Sequence, residues 1–217
     1  MVRFTEAQKE GRRQEILGAA LRCFARNGFH STTITDVVRE SGVSQGTFYL
    51  YFETKDDVIA ALADDRNEGD ALINAIAAAE TDPVVGLKTL FDLHGQTLSD
   101  PQRADERRVA IQGWAEALRN DAIRQRLLAN TARVQREISM LIERGQRTGQ
   151  FKADADSQGV ARALIALFRG LTLLTAWDGT FDPSVTAKAI EDMARGALQP
   201  LGGPNDADRA DQKEEPR

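Results

Sequence analysis

Residues 24–62 read FARNGFHSTTITDVVRESGVSQGTFYLYFETKDDVIAAL, and the fold follows from how that run is punctuated. Asn27-Gly28 stops a helix of about 9–27 whose apolar face is Ile16, Leu17, Ala20, Leu21 and Phe24. Thr33 is a good N-cap, with Asp36 three residues on in a capping-box arrangement, so a short second helix is expected over about 34–41. Val37 and Val38 supply its buried side. Ser41-Gly42 ends it, because glycine takes the left-handed conformation cheaply. Ser44 caps a third helix, about 45–51. Thr54 caps a fourth, with Asp56 and Asp57 in the first turn, where the helix dipole favours acids.

Two short helices joined by Ser41-Gly42-Val43-Ser44 form the pattern of a helix-turn-helix. In that geometry the second helix enters the major groove of DNA and its N-terminal residues reach base edges. Ser44, Gln45 and Thr47 carry groups that hydrogen-bond to bases or phosphates, and glutamine pairs bidentately with adenine. Gly46 lets a backbone come close. Tyr49 and Tyr51 offer hydroxyls to phosphate oxygens, while Phe48 and Phe52 point the other way as anchors. Lys55 sits in the first turn of a helix, where a cation is disfavoured, and a nearby phosphate would reverse that sign. Thr33, with the helix N-terminal amides behind it, is a further phosphate donor.

The net charge of −5 argues at first against nucleic acid, but its distribution softens the objection. Residues 1–55 hold eight Lys/Arg against six Asp/Glu, which leaves +2 there and −7 for the remainder. A mildly positive front on an acidic body can still meet phosphate. The N-terminus MVRFTEAQKEGRRQE lacks the apolar core of a signal peptide. No apolar run reaches the roughly 18 residues of a membrane span. The single cysteine, Cys23, can form no internal disulfide. A cytoplasmic protein with no membrane partner is the expectation.

Beyond the opening run, spacing of about 3.6 residues recurs and strict alternation never persists, so the chain reads as all-α with about nine helices. The fourth helix is expected to run to about Glu80, with Gly69 as a candidate bend. Asp82-Pro83 and Asp100-Pro101 start two more, proline being favourable at the first helical position. Further helices fit about 101–119, 121–148, 157–177 and 184–198, and the polar tail 201–217 is expected to be disordered. The domain expectation is a three-helix helix-turn-helix domain over 1–55 and a C-terminal helical bundle over 56–200.

Within that bundle Val160, Leu164, Leu167, Leu171 and Leu174 are spaced 4-3-4-3, and Ile190, Met193 and Ala197 share one face of the last helix. These residues form either a dimer interface or an intrachain core. Phe91, His94, Trp114, Leu118, Phe168 and Trp177 are candidates to line an effector pocket, with ordinary packing as the alternative. Only two histidines occur, His30 and His94, and no phosphate loop, nucleophile elbow or metal spacing appears. No enzyme activity, cofactor or metal is therefore expected.

The run 24–62 resembles the DNA-binding domain of TetR-family regulators. The matching residues are Gly28, Phe29, Thr32, Thr33, Gly42, Val43, Ser44, Gly46, Thr47, Phe48, Tyr49, Tyr51, Phe52 and Lys55. The segments WAEALRNDAIRQRL (114–127) and LIERGQRTGQF (141–151) resemble a common subtype of the family's C-terminal domain. The resemblance implies a homodimer bound to a double-stranded operator, most often a repressor that a small-molecule effector releases, with ligand binding and dimerisation in the C-terminal bundle over 56–200. It implies DNA contacts at Thr33, Ser44, Gln45, Thr47, Tyr49, Tyr51 and Lys55. Position 45 is often basic in relatives, and Gln45 departs from that.

Overall fold

The computed structural model describes residues 5–65, 82–178 and 180–199. Among these residues there are nine α-helices and no strand. They are α1 (Glu6–Ser31), α2 (Ile34–Ser41), α3 (Gln45–Tyr49), α4 (Lys55–Asp65), α5 (Pro83–Ser99), α6 (Ala104–Glu116), α7 (Asp121–Arg147), α8 (Ser157–Trp177) and α9 (Pro183–Leu198), with a 3-10 turn over Pro101–Arg103 leading into α6. The expected continuation of the fourth helix to Glu80, the bend at Gly69 and the tail from 201 lie outside the described residues.

Several boundaries differ from the reading of the sequence: the helix expected over 101–119 is Ala104–Glu116 behind its 3-10 turn, and helical geometry resumes after the break at Gly28 as far as Ser31. The first helix starts earlier, at Glu6, because Thr5 and Gln8 form a reciprocal capping box. The third ends at Tyr49 instead of 51. There the Leu50 and Tyr51 amides donate to the Thr47 and Phe48 carbonyls, tightening the chain into 3-10 geometry that turns Phe52 inward.

The helices form two compact units, each with its own core. The described residues of the first are 5–65, 100–131 and 172–178. Its core joins Ile16, Leu17, Phe24 and Phe29 of α1 to Val37, Phe48, Phe52, Val58 and Ile59, closed by Val109, Ala117 and Ile123. The described residues of the second are 82–99, 132–171 and 180–199, and it packs Leu87, Leu90, Phe91 and Leu98 against Ile138, Leu141, Ile142, Leu164, Phe168, Ile190 and Leu198.

The position of the helix-turn-helix is fixed by a break in α1. Gly28 has φ +81°, a left-handed value, so the helical ladder fails there as Asn27-Gly28 predicts. Side chains from three elements pair backbone groups around the break. The buried Thr32 hydroxyl donates to the Gly28 carbonyl (2.8 Å) and to that of Cys23 (3.2 Å). Gln112 of α6 spans the break: its Nε2 donates to the Phe24 carbonyl (3.0 Å), and its Oε1 accepts from the Phe29 amide (3.1 Å). Lys55 Nζ donates to the Phe29 (2.6 Å) and Thr32 (3.1 Å) carbonyls.

In α8 and α9 the expected seam divides between two faces. Leu164, Leu171 and Ile190 are buried in the core of their own chain, and Val160 is half-buried against it. For these residues the intrachain alternative holds, because each turn of α8 places them beside Ala161 and Phe168. Leu167 and Leu174 face outward, as do Met193 and Ala197 of α9. The outward face is apolar beyond the expected residues: Ala163, Ala166 and Gly170 extend it on α8, and Val185 and Ala189 on α9. By length and hydropathy alone α8 would suffice to cross a bilayer. Its inward residues instead build a core, which leaves its outer apolar face to be explained.

Replacing Gln112 with leucine strands the Phe24 carbonyl and the Phe29 amide, a loss of about 1–3 kcal/mol. Urea unfolding of Gln112→Leu should show a lower midpoint at unchanged slope. An unchanged midpoint would mean that the span across Gly28 contributes nothing.

Candidate nucleic-acid interface

Each helix of the helix-turn-helix begins on a side-chain cap. Thr33 Oγ1 accepts from the Asp36 amide (3.2 Å) and donates to Asp36 Oδ2 (2.7 Å), while the Thr33 amide donates to the same carboxylate (3.0 Å). Those hydrogen bonds, first the one from the Thr33 hydroxyl, hold the Asp36 carboxyl below its usual range. Gly42 closes α2 with φ +70°. Ser44 Oγ then accepts from the Thr47 amide (3.1 Å) and lies 2.8 Å from Thr47 Oγ1. Thr54 and Asp57 repeat the reciprocal box at α4. The hydroxyls of Thr33, Ser44 and Thr47 thus already have work inside the chain: the Thr33 proton is committed to Asp36, while the bond between Ser44 and Thr47 uses the proton of one hydroxyl and leaves that of the other for an outside acceptor.

Phe48 is fully buried and Phe52 nearly so, their rings 5.9 Å apart, so the opposite side of α3 is presented outward. Ser44, Gln45, Gly46 and Tyr49 are exposed on it, and Thr47 is half-buried. Gly46 is informative. Its φ is not positive, and a Cβ built there would meet nothing closer than Ser44 Oγ at 4.0 Å. Neither backbone strain nor packing within the chain requires glycine at this position.

Tyr51 is half-buried and, with Arg13, Phe52, Asp57 and Arg126, lines an open groove of about 430 Å³. Lys55 is half-buried because its ammonium is tied to the two α1 carbonyls. The unfavourable lysine at a helix start is thus offset by protein carbonyls. Leu50, which the sequence reading passed over, is 82% exposed between the two tyrosines. Its signal in the sequence was an apolar residue on the side of α3 away from Phe48.

The positive front is neutralised pair by pair. Lys9, Arg12 and Arg13 are bonded to Glu6, Glu15 and Glu10, and Arg39 to Asp36. Arg22 and Arg26 both hold Glu40, each at 2.8 Å, which braces α1 against α2. Hydrogen bonds from Arg26 and then Arg22 keep the Glu40 carboxyl down at about 2. Exposed pairs of this kind are weak, and phosphate can compete for their cations.

The candidate effector residues divide between the two units. Phe91, His94 and Phe168 come together in the second unit. Trp114, Leu118 and Trp177 belong to the first, where Leu118 is 84% and Trp177 73% exposed.

Comparison with known proteins matches residues 16–62 to the family described as "Bacterial regulatory proteins, tetR family". Residues 90–199 match "BetI-type transcriptional repressor, C-terminal". The uncharacterized HTH-type transcriptional regulator YdgC of Bacillus subtilis is 25% identical over 199 residues, covering 88% of this chain and 94% of that protein. A TetR transcription regulator from Haloarcula marismortui shares the fold with TM-score 0.75 at 24% identity, covering 88% of this chain and 99% of that one. A putative transcriptional regulator from Saccharomonospora viridis, solved in complex with choline, matches with TM-score 0.69 at 28% identity, covering 84% and 94% of the two chains.

The folded Glu40 carboxyl titrates near 2 against an ordinary 4.5. Its contribution to stability is therefore complete above pH 4.5 and is lost as the pH falls toward 2. Glu40→Gln should melt slightly below the wild type at pH 7, and the gap should close steadily below pH 4.5. A gap that does not depend on pH would show that the brace is not ionic.

Proposed function

This chain belongs to the TetR family of bacterial regulatory proteins and is a DNA-binding transcriptional regulator; we propose that it acts as a cytoplasmic homodimeric repressor that a small-molecule effector releases from its operator. The observation that carries this reading is the outward side of α3. Gln45, Gly46 and Tyr49 stand free on a short helix whose other side is locked by Phe48 and Phe52. Polar and glycine positions of that kind add nothing to the core, and they suit a helix laid in a major groove.

In this proposal residues 1–55 bind DNA and residues 56–200 bind the effector and the second subunit. Gln45 reads a base edge. Gly46 brings the backbone against a phosphate or sugar. Ser44, Thr47, Thr33 and Tyr49 bond to phosphate oxygens, with the helix N-terminal amides assisting. Tyr51 reaches phosphate from the end of α3. Lys55 contributes its remaining ammonium proton while holding the end of α1 in place. Leu50 adds an apolar contact to a sugar or a thymine methyl group.

The outward apolar faces of α8 and α9 support dimerisation. Leu167, Leu174, Met193 and Ala197 are the residues we assign to it, with Val160 at its margin. An exposed apolar surface of this kind on a protein in water calls for a partner. A dimer also presents two recognition helices, which fit half-sites about 34–36 Å apart only when their spacing matches. An effector that favours a mismatched spacing releases the operator, and by linkage the operator weakens the effector. The Saccharomonospora relative, solved in complex with choline, supports a small-molecule effector for this chain.

DNA binding is tested by fluorescence anisotropy on the fragment upstream of the chain's own gene, with random DNA as competitor. Gly46→Ala should keep or raise thermal stability, by up to about 1 kcal/mol, because alanine is the better helix former. It should weaken specific binding about tenfold or more, which is about 1.4 kcal/mol. Unaltered affinity would remove α3 from the interface.

The dimer is tested by light scattering on the double variant Leu167→Glu/Met193→Glu. A helical monomer with lost operator affinity is expected, and an intact dimer would place the interface elsewhere.

A further inference from the structure

Leu50 caps the end of α3 with its backbone still in the right-handed helical region, at φ −72° and ψ −20°. Its amide donates to the Thr47 carbonyl (3.2 Å), so it continues the spiral by one residue. Phe48 and Phe52, two residues to either side, are buried with their rings 5.9 Å apart, and they hold Leu50 on the opposite side of the chain. There it is 82% exposed, next to Tyr49 at 47%. A lone leucine on an outer face needs no reason. This one stands on the recognition helix, one turn beyond Gly46. Helix side chains lean toward the N-terminus, so the isobutyl group leans over the turn that holds Gly46. A Cβ on that glycine would still have only Ser44 Oγ within 4.0 Å, so the surface beside Leu50 is open.

Leucine has neither a donor nor an acceptor. Phosphate oxygens, which take most contacts on DNA, offer it nothing. Deoxyribose offers apolar carbon, but it recurs at every nucleotide. Among base edges in the major groove the 5-methyl group of thymine is the one apolar feature. With Gln45 over a base edge and Gly46 letting the helix lie close, a side chain one turn on reaches the same depth. We propose that Leu50 is a sequence-reading residue that covers the 5-methyl group of one thymine in each operator half-site. This rests on the reading that α3 lies in the major groove, and it fixes one letter of the operator. Any other base at that place sets a polar edge or a bare C–H against the leucine. The contact displaces no ion, so the discrimination it gives does not depend on salt.

The test begins with selection from random-sequence duplexes, on the wild type and on Leu50→Ala. The wild-type consensus should hold one thymine per half-site to which Leu50→Ala is indifferent. On the consensus duplex, replacing that thymine with uracil in one half-site removes the methyl group and keeps the base pair. Anisotropy should show the wild type weakened about fourfold, or about 0.8 kcal/mol, with the same ratio at low and high salt. Leu50→Ala should bind both duplexes equally, and Leu50→Met should restore the preference. Because Leu50 is exposed, Leu50→Ala should melt with the wild type, which separates reading from folding. A uracil effect that persists in Leu50→Ala, no uracil effect in the wild type, or no thymine that depends on Leu50 would overturn the proposal and leave α3 in the groove. No enriched sequence for the wild type would overturn both.

Discussion

The interruption of α1 at Gly28 is the constraint on which the rest of the DNA-binding unit depends. A helix that stops in mid-unit exposes carbonyls and an amide that water cannot reach, and buried backbone groups must be paired. The chain pairs them from three directions: Thr32 from the next residues, Lys55 from the start of α4, and Gln112 from α6. Each donor is thereby tied to the same few atoms. The positions of α2, α4 and α6 around the end of α1 follow from hydrogen bonds as much as from the packing of Phe24, Phe29 and Phe48.

The local punctuation of the fold was legible in the sequence, and the long-range pairing was not. The boxes at Thr33 and Thr54, the cap at Ser44 and the left-handed Gly42 are each decided within four residues, so the chain announces them directly. Lys55 was legible as an anomaly, a cation at the wrong end of a helix. Its resolution, by carbonyls 23 and 26 residues away, required the fold. Gln112 gave no signal at all, because its partners lie 83 and 88 residues distant.

The seam in α8 was ambiguous for a different reason. A helix that is apolar on nearly every side offers several heptad-like readings at once, and spacing cannot say which of them faces inward. Leu164 and Leu171 went to the core, while Leu167 and Leu174 turned to the surface. The effector candidates were gathered by residue type alone. Residue type carries no information about which unit a helix joins, so Phe91, His94 and Phe168 fall in the second unit and Trp114, Leu118 and Trp177 in the first.

The paired cations of the front have a consequence for kinetics. Attraction to any stretch of DNA, whatever its sequence, comes from cations that displace condensed counterions. Here each Lys or Arg between residues 5 and 55 already has a partner within the chain, a carboxylate or, for Lys55, backbone carbonyls. Each phosphate contact by these side chains is therefore an exchange, in which a carboxylate or carbonyl lets go as a phosphate takes hold, and the old partner stays close enough to recapture the cation. Contacts made this way form and break one at a time, and each gains less than one made by an unpaired cation.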